Sequence, residues 1–503
     1  MKLFINGEWV SEGLDVFDVV NPATGEVVGS VPKGGAKEAK VAADGAYEAL
    51  PAWAARSAYE RSAILEAWHD LIAEQKEELA RLMTMEQGKP INEARGGIAY
   101  ANSFIKWYAE EGKRIYGETI PASSPDKRLF VVKQPVGVVA AITPWNFPAA
   151  MITRKVAPAL AVGCTVLIKP ASQTPLTALK LAELAEKAGL PKGVLHVVVG
   201  STSDISKAWQ EDERVRKLTF TGSTEIGRTL MSEAGQTVKK ISLELGGHAP
   251  VLVFEDADID NAVQETIASK FRNGGQTCVC ANRIYVHESI AEAFITKMKQ
   301  AVEQLKVGNG LNEETDIGPL IDEDAVDKVL THIRDAKDKG AEVLTGGNSS
   351  NGLFIEPTVI AGVTDDMACM SEETFGPLAP ISTFKTEEEV VKRANDTIYG
   401  LAAYLFTTDL SRGIRVAEKL DYGVVGLNDG GPSVAQAPFG GFKQSGIGRE
   451  GGHEGLEEFL ESKYVSLKMS TKSITAPQTD RKRLSDEECR RGKMRIERGF
   501  MSI

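Results

Sequence analysis

The N-terminal part of the chain combines short hydrophobic runs with long stretches of helical periodicity. The segments "FINGEWV" and "DVFDVVNPATGEVVGSVP" are typical of a β-hairpin, with turn chemistry at Asn21-Pro22. In residues 57–87, apolar positions recur at the spacing of one helical face, and Gly88 follows as a helix stop. That face is formed by Ile64, Leu65, Trp68, Leu71 and Ile72. The pattern predicts one long helix here and another over residues 92–117.

From Lys133 onward the pattern changes to short, almost wholly apolar runs that alternate with helical segments. The runs are "VGVVAAITP", "CTVLIKP", "VLHVVVG", "RKLTFTG" and "KKISLEL". Strands without polar alternation are buried on both faces, which indicates a parallel sheet covered by helices. A second unit of the same kind begins at Val251. The chain is therefore predicted to be an α/β protein without internal repeats or a long linker.

Composition narrows the class of protein and its partners. A chain of 503 residues with 42% hydrophobic and 25% charged residues is typical of a globular enzyme of two or three domains. Its longest uncharged apolar stretch, "VAPALAVGCTVLI", is shorter than the ~20 residues of a membrane span. The first residues show no signal-peptide pattern, so we expect a cytoplasmic protein. A formal charge of −12 disfavours nucleic acid and anionic membranes as partners.

The last residues, 471–503, differ in composition from the rest of the chain. They are poor in apolar residues and rich in arginine and lysine. Such a segment cannot bury enough apolar surface to fold alone, so we interpret it as a disordered or expression-derived extension.

Two of the five cysteines lie one residue apart in "NGGQTCVCANR". An odd number of cysteines in a long chain argues against a disulfide scaffold. Half a metal site, a disulfide and a nucleophile with a neighbour are the three possibilities for Cys278 and Cys280. No second Cys/His pair lies at ligand spacing and the six histidines are scattered, so we predict no metal site.

Three loops follow predicted parallel strands: "TPWNFP", "KPASQTP" and "GSTEIGRT". Ligands bind outside the carboxyl ends of strands in open α/β sheets, so these loops predict a nucleotide cleft. Arg228 stands where a P-loop has its lysine, which disfavours NTP hydrolysis. The glycines of "GSTEIG" alone are also compatible with a simple tight turn between strand and helix.

Seven motifs of the chain, in their order and spacing, resemble those of the aldehyde dehydrogenase superfamily, and the resemblance covers residues 1–470. The motifs are "TPWNFP", "KPASQTP", "FTGSTEIGR", "SLELGG", "FRNGGQTC", "EETFGP" and "PFGGFKQSGIGRE". Within it, the chain looks most like the NADP-accepting bacterial succinate-semialdehyde dehydrogenases. The resemblance implies a Rossmann-type NAD(P)-binding domain, an α/β catalytic domain and a small β flap that joins subunits into a homodimer or homotetramer. The implied ranges are 1–117 with 135–246, 247–446, and 118–134 with 460–470.

The resemblance also implies the catalytic residues. Cys278 corresponds to the nucleophile, because a thiolate attacks an aldehyde near neutral pH. Asn146 corresponds to the donor that stabilises the resulting oxyanion. Glu244 corresponds to the base that activates water for thioester hydrolysis. Loss of any one is expected to cost ~10² in rate or more.

Cofactor contacts carry over from the same resemblance. The residues implied are Trp145, Lys169, Ser172, Gly222, Ser223, Leu245, Glu373 and Phe375. Ser172 lies where strictly NAD-dependent relatives often have a glutamate, which would repel a 2′-phosphate. NADP is therefore expected to be accepted, with NAD as the alternative.

Substrate choice rests on charge. Arg154, Arg272 and Ser445 match positions that hold the distal carboxylate of succinic semialdehyde, and arginines bind carboxylates bidentately. Either arginine is also compatible with a structural ion pair. The loop 428–441 departs from the subfamily, so glutarate semialdehyde and 2-oxoglutarate semialdehyde stay open. An acyl-transferring or hydrolytic cysteine enzyme is disfavoured, because it needs no nicotinamide site.

Cys280 keeps two interpretations. Residues two apart in an extended strand lie at the limit of disulfide geometry, so a Cys278–Cys280 bridge requires a bent loop and would be easily reduced. We hypothesise a redox switch that caps the nucleophile. The alternative is a small buried filler.

Overall fold

The computed structural model describes residues 1–470. The helices are α1 (Ala36–Ala54), α2 (Ala58–Glu74), α3 (Lys76–Gln87), α4 (Ile91–Glu111), α5 (Ala150–Val162), α6 (Pro175–Lys187), α7 (Thr202–Glu211), α8 (Thr224–Ala234), α9 (Ile259–Lys270), α10 (Ala291–Val302), α11 (Glu323–Asp338), α12 (Ala368–Ser371), α13 (Glu387–Asn395), α14 (Leu410–Lys419) and α15 (Glu454–Glu457). Short 3₁₀ turns lie at Gly112–Arg114, Arg272–Gly275 and Lys443–Ser445. Within this range no helix is long and apolar enough to cross a membrane.

The strands are β1 (Leu3–Ile5), β2 (Glu8–Val10), β3 (Val16–Val20), β4 (Val27–Pro32), β5 (Glu118–Ile120), β6 (Lys127–Pro135), β7 (Val138–Ile142), β8 (Thr165–Lys169), β9 (Leu195–Val197), β10 (Val215–Thr221), β11 (Lys240–Glu244), β12 (Ala249–Val253), β13 (Ala281–His287), β14 (Glu342–Thr345), β15 (Ser349–Asn351), β16 (Phe354–Ile355), β17 (Thr358–Ala361), β18 (Leu378–Phe384), β19 (Ala402–Phe406), β20 (Val424–Leu427), β21 (Gly446–Ile447) and β22 (Leu460–Lys468).

The first sheet has the order β2-β1-β9-β8-β7-β10-β11-β21. Its strands from β9 to β11 run parallel, and β7 and β8 are buried at every position. This confirms the prediction that uniformly apolar runs form a parallel sheet covered on both faces. Antiparallel β1 and β21 close the two sides of the parallel core.

The second sheet has the order β14-β17-β18-β13-β12-β19-β20 and is parallel except at β14. Alternate residues of β12 enter two separate hydrophobic clusters. Val251 and Val253 pack with α9 and α10, whereas Leu252 packs with α11 and α13. Both faces of this sheet are therefore covered by helices, as in the first.

The region 57–87 differs from its predicted form. The structure has two helices, α2 and α3, that meet at Gln75, whose φ of −99° and ψ of 19° are not helical. Both helices pack on α4 and α6, and α2 also packs on α5, so the hydrophobic spacing continues across the bend. Leu65, Trp68 and Ile72 form the buried face of α2 as predicted. The N-terminal residues form two hairpins, β1-β2 and β3-β4.

Residues 1–116 with 133–462 form one compact unit, and among the described residues 117–132 and 463–470 belong to a second unit. The second unit contains most of a three-stranded sheet of order β22-β6-β5. The first sheet takes its strands from residues 3–244 and 446–447, and the second sheet from residues 249–427. The division into nucleotide-binding and catalytic domains, and the joining role of the flap, stay predictions. The predicted extension at 471–503 lies outside the described residues.

Candidate active site

The predicted ligand loops lie at one edge of the first sheet. Ile142 at the end of β7 pairs with Lys169 of β8 and with Phe220 of β10. Thr221 pairs with Glu244, the last residue of β11. Because these strands are parallel and in register, the loops that follow them start side by side.

A cavity of about 520 Å³ opens at this edge. Of the predicted site residues, it is lined by Trp145, Asn146, Gly222, Ser223, Glu244, Leu245, Cys278, Glu373 and Phe375. Lys169, Ser172, Arg154, Arg272 and Ser445 lie outside this lining. The sequence did not indicate the contribution of α11, which adds Asp324, Ala325 and Lys328 to the wall.

Cys278 lies between the Arg272–Gly275 turn and β13, and 8% of its surface is exposed. Burial, followed by the nearby Glu244 carboxylate, raises the pKa of Cys278 well above its usual range. The resting side chain is therefore a thiol, and its attack on an aldehyde requires removal of its proton.

Glu244 places a carboxylate in the cavity of Cys278, where it can act as a general base. It is 2% exposed, and neither of its carboxylate oxygens has a hydrogen-bond partner among the described residues. Burial raises its pKa, and Arg154, with Nη2 at 3.7 Å from Oε2, partly opposes that rise. A buried carboxylate with free lone pairs and a raised pKa is suited to accept a proton from a water molecule.

The glycines after Glu244 permit this approach. A Cβ at Gly247 would lie 2.1 Å from the carbonyl oxygen of Cys278, which leaves no room for any side chain. The loop from Glu244 to Gly247 therefore packs directly on the nucleophile's backbone.

The side-chain amide of Asn146 is oriented by two hydrogen bonds. Its Oδ1 accepts from the backbone N–H of Phe147 at 3.1 Å, and its Nδ2 donates to the carbonyl oxygen of Gln276 at 3.1 Å. One N–H of Nδ2 is left for a ligand in the cavity. This is the donor geometry that an oxyanion requires, because the amide is fixed before the substrate arrives.

Arg154 is placed differently from its predicted role. It is 2% exposed, and its guanidinium forms a buried ion pair with Glu450 and lies 4.5 Å from the Phe439 ring centroid. Lys155 donates to the same Glu450 and to Thr221. Both cations lower the pKa of Glu450 against the opposing effect of burial. The sequence did not identify Lys155 or Glu450, because the two residues lie 295 positions apart in the chain.

A second cavity, of about 470 Å³, contains Arg272. Phe147, Tyr100 and Ser433 also line it. Asn146 and Phe147 are consecutive, so their loop borders both cavities. The Arg272 guanidinium lies 4.8 Å from the Phe147 ring centroid, and none of the described residues forms a salt bridge or hydrogen bond with it.

Ser445 does not reach this second cavity. Its hydroxyl donates to the carbonyl oxygen of Gly246 at 2.6 Å and accepts from the backbone N–H of Gly400 at 2.9 Å. The side chain is fully buried and ties two loops together. Ser433, which sequence reasoning missed, is the serine that lines the cavity of Arg272.

The remaining predicted residues fit a dinucleotide. Ser223 caps α8 by accepting from Ile226 N–H, which leaves a helix N-terminus beside Gly222 for a phosphate. The Lys169 ammonium has no ion-pair partner among residues 1–470, and burial lowers its pKa to about 8. The rings of Trp145 and Phe375 pack edge-to-face, with their centroids 5.7 Å apart, and form apolar walls of the cavity.

Glu373 and Phe375 lie on one loop beside the glycines that follow β11. Glu373 accepts from Gly247 N–H at 3.0 Å, and burial raises its pKa to about 7. Phe375 has a φ of 56°, a strained conformation that is common at ligand sites.

Cys280 is fully buried, and its thiol contacts Lys270. The thiol donates to the Lys270 carbonyl oxygen and accepts from its ammonium, both at 3.3 Å. Cys164, Cys278, Cys280 and Cys369 are free thiols. Among the described residues, no group of three His, Cys, Asp or Glu side chains is arranged to hold a metal ion.

Fold and site together define an α/β protein in which a buried cysteine and a buried glutamate meet at the wall of a nucleotide-sized cleft. Residues 9–465 match the model of the aldehyde dehydrogenase family, and the chain belongs to this family. The predicted family, fold class and enzyme class are thereby confirmed.

Individual relatives are similar over nearly their whole length. The chain is 58% identical to the glutarate-semialdehyde dehydrogenase of Pseudomonas putida, over 93% of this chain and 97% of that protein. It is 57% identical to the NADP(+) succinate-semialdehyde dehydrogenase of Escherichia coli, with the same coverage. A solved structure of an NADP-dependent enzyme from E. coli has a TM-score of 0.92 and 56% identity, and the match covers 93% of this chain and 98% of that one.

Proposed function

We propose that this protein oxidises a short aldehyde with a carboxylate at its far end to the corresponding dicarboxylic acid. Succinic semialdehyde is the first candidate and glutaric semialdehyde the second, in keeping with the names of similar proteins. The observation that carries the proposal is the Arg272 guanidinium, which faces a cavity without a carboxylate partner. An unpaired guanidinium at a cavity favours an anionic group of the substrate.

Each acidic residue of the same cavity accepts a hydrogen bond from a backbone N–H group. Glu93 accepts from Asn273 N–H at 2.8 Å, and Asp316 accepts from Lys306 N–H at 2.9 Å. Neither forms an ion pair with Arg272. Arg154 is already paired with Glu450, so the proposed carboxylate site consists of Arg272 with the hydroxyls of Ser433 and Tyr100 nearby.

For the chemistry, we propose the roles implied by the family resemblance. Cys278 forms a thiohemiacetal with the aldehyde, and the free N–H of Asn146 stabilises its oxyanion. NADP or NAD, when bound, accepts the hydride. Glu244 then takes a proton from water, which attacks the Cys278 thioester and releases the acid.

For the cofactor, we propose that Gly222, Ser223 and the α8 N-terminus bind phosphate, with Lys169 and Ser172 near a ribose. Support comes from the unpaired Lys169 ammonium and from the absence of a glutamate at Ser172. A neutral Ser172 does not repel a 2′-phosphate, so NADP is accepted as well as NAD.

A substrate panel tests the proposal. Initial rates of NADPH or NADH formation with succinic, glutaric, 2-oxoglutaric and adipic semialdehydes are compared with those for butanal and pentanal. We expect kcat/KM for a semialdehyde to exceed that for the uncharged aldehyde of equal length by about 10²-fold, the scale of a charged hydrogen bond. Equal values would refute the proposed substrate class.

Arg272→Gln is expected to raise KM for the preferred semialdehyde by about 10²-fold and to change the kinetics with butanal less than about threefold. The reason is that glutamine keeps a polar side chain with hydrogen-bond donors but loses the charge. Arg95→Gln, at an exposed ion-pair cluster on α4, serves as the control and should change neither. A similar loss with both aldehydes would show that Arg272 maintains the structure and does not select the substrate.

For Cys280, we propose reversible oxidation to a Cys278–Cys280 disulfide, with peroxide as the oxidant that is reduced to water as the two thiols lose their hydrogens. The two free thiols, two residues apart, support this, although Cys280 must first leave Lys270. Peroxide should inactivate the wild type reversibly and Cys280→Ala irreversibly, because an unprotected Cys278 oxidises further. If dithiothreitol restores both proteins equally, Cys280 is a buried filler.

We also propose a homodimer or homotetramer in the cytoplasm. The outer strand β22 exposes Tyr464 and Leu467 by 57% and 50%, and an exposed apolar edge strand is usually covered. The free thiols are in keeping with a reducing compartment. Sedimentation of a monomer, or recovery of the protein outside the cytoplasmic fraction, would contradict these proposals.

A further inference from the structure

The connection between α3 and α4 carries a buried lysine that no step above uses. Lys89 is 2% exposed, and its ammonium donates to the carbonyl oxygen of Asn146 at 2.7 Å. The same ammonium lies 4.0 Å from the Phe147 ring centroid. Burial lowers the pKa of Lys89 to about 7, while the Glu93 charge raises it and the Arg272 charge lowers it. A cation that loses its hydration in this way is costly unless its contacts compensate.

The carbonyl that Lys89 binds connects two active-site loops. Asn273 Nδ2 donates to the same oxygen of Asn146 at 3.1 Å and also to Gln276 at 3.3 Å. Gln276 in turn accepts from the Asn146 amide. The loop that carries the proposed oxyanion donor and the turn that precedes Cys278 are therefore joined through two carbonyl groups, those of Asn146 and Gln276.

The turn before Cys278 needs such external contacts. Asn273, Gly274 and Gly275 all have positive φ, of 53°, 63° and 78°. A run of left-handed residues persists only where the surroundings determine it. Glu93, in the first turn of α4, accepts a hydrogen bond from the Asn273 N–H at 2.8 Å. Lys89 and Glu93, four positions apart, thus each contact one of the two joined loops.

We propose that Lys89 is a positioning residue: its hydrogen bond to the Asn146 backbone aims the free N–H of the Asn146 amide at the developing oxyanion. The inference rests on the role proposed above for Asn146. Without the ammonium, the Asn146 carbonyl keeps only the contact with Asn273. The backbone that carries the Asn146 side chain can then shift, and the two hydrogen bonds of the amide shift with it. A misplacement of about 1 Å at such a site costs about 10²-fold in rate.

The test separates positioning from general damage. Lys89→Met is expected to lower kcat for semialdehyde oxidation by about 10²-fold, with cofactor affinity unchanged within about threefold. Alkylation of Cys278 by iodoacetamide should also stay within about threefold, because alkylation of a thiol needs no oxyanion donor. Lys89→Arg, which keeps a charged donor, should recover most of the rate, and Lys76→Met on the exposed start of α3 should change nothing.

A double-mutant comparison completes the test. If Lys89 acts through Asn146, then Lys89→Met adds no further loss in an Asn146→Ala background. Independent, additive losses would overturn the inference, as would equal slowing of alkylation and oxidation. If Lys89→Met does not fold, full activity of a folded Lys89→Gln variant would overturn it instead. An Asn146→Ala variant with normal activity would refute the proposed role of Asn146, a different failure from additivity.

Discussion

Cys278→Ser is expected to reduce aldehyde oxidation by about 10⁴-fold or more, with cofactor affinity unchanged. Burial and the nearby Glu244 carboxylate hold the pKa of the Cys278 thiol well above its usual range, so the nucleophile forms only when this thiol loses its proton. A serine hydroxyl is far less acidic than a thiol, so the site cannot convert it into a nucleophile to a comparable extent.

Rates of NADPH formation and cofactor titration on the same preparation measure this effect. Cys280→Ala is the matched control, because it removes the neighbouring buried thiol and should keep the rate within about threefold. If Cys278→Ser kept a tenth of the wild-type rate, the covalent route would be wrong.

Glu244→Gln is expected to slow turnover by about 10²- to 10³-fold while a first, single turnover still yields a burst of NADPH. Glutamine keeps the shape of the side chain but cannot accept the proton of the attacking water. Thioester hydrolysis then becomes the slow step, so the enzyme accumulates as acyl-enzyme. The burst amplitude in rapid mixing, set against the concentration of active sites, measures the accumulation.

The pH dependence gives the same prediction an independent readout. Glu244 works as a base only when deprotonated, and burial raises its pKa. The wild-type rate of hydrolysis should therefore rise with pH through a range above that of an ordinary glutamate, and this rise should vanish in Glu244→Gln. Asp324→Asn, a carboxylate of the same cavity, should keep the wild-type profile. A variant without a burst but with an unchanged pH profile would contradict the role of Glu244.

The fold followed from the sequence wherever hydrophobic spacing alone determines structure. The uniformly apolar runs that became β7 and β8 could belong only to strands covered on both faces. The bend at Gln75 could not be predicted, because α2 and α3 both keep apolar faces and the periodicity continues through the break. Only the tertiary partners of the two helices determine where the axis changes.

In the site, the sequence identified the residues that belong to local motifs. It did not identify residues whose role depends on contacts with distant parts of the chain. Cys278, Glu244 and Asn146 stand in recognisable motifs, and the structure brings all three to one cavity. Lys89 contacts a residue 57 positions away, and Lys155 contacts Glu450, 295 positions away. A lysine's sequence neighbours do not show whether it will be buried, so neither could be singled out.

The substrate residues illustrate the same limit. Arg154 and Arg272 are equally plausible carboxylate ligands in the sequence, yet one is paired with Glu450 and the other has no carboxylate partner among the described residues. Two serines of the C-terminal segment can likewise be distinguished only in the fold. The Ser445 hydroxyl binds backbone groups, whereas Ser433 lines the cavity of Arg272.

The central claim is that a semialdehyde becomes an acyl group on Cys278. The direct measurement is mass spectrometry on the Glu244→Gln variant. The variant is mixed with NADP+ and succinic or glutaric semialdehyde, quenched with acid, digested, and its peptides are then analysed. The account predicts a succinyl or glutaryl group, according to the aldehyde supplied, on the Cys278 sulfur of the peptide that also contains Cys280. NADPH formation with that peptide unmodified, or with the acyl group on another residue, would contradict it.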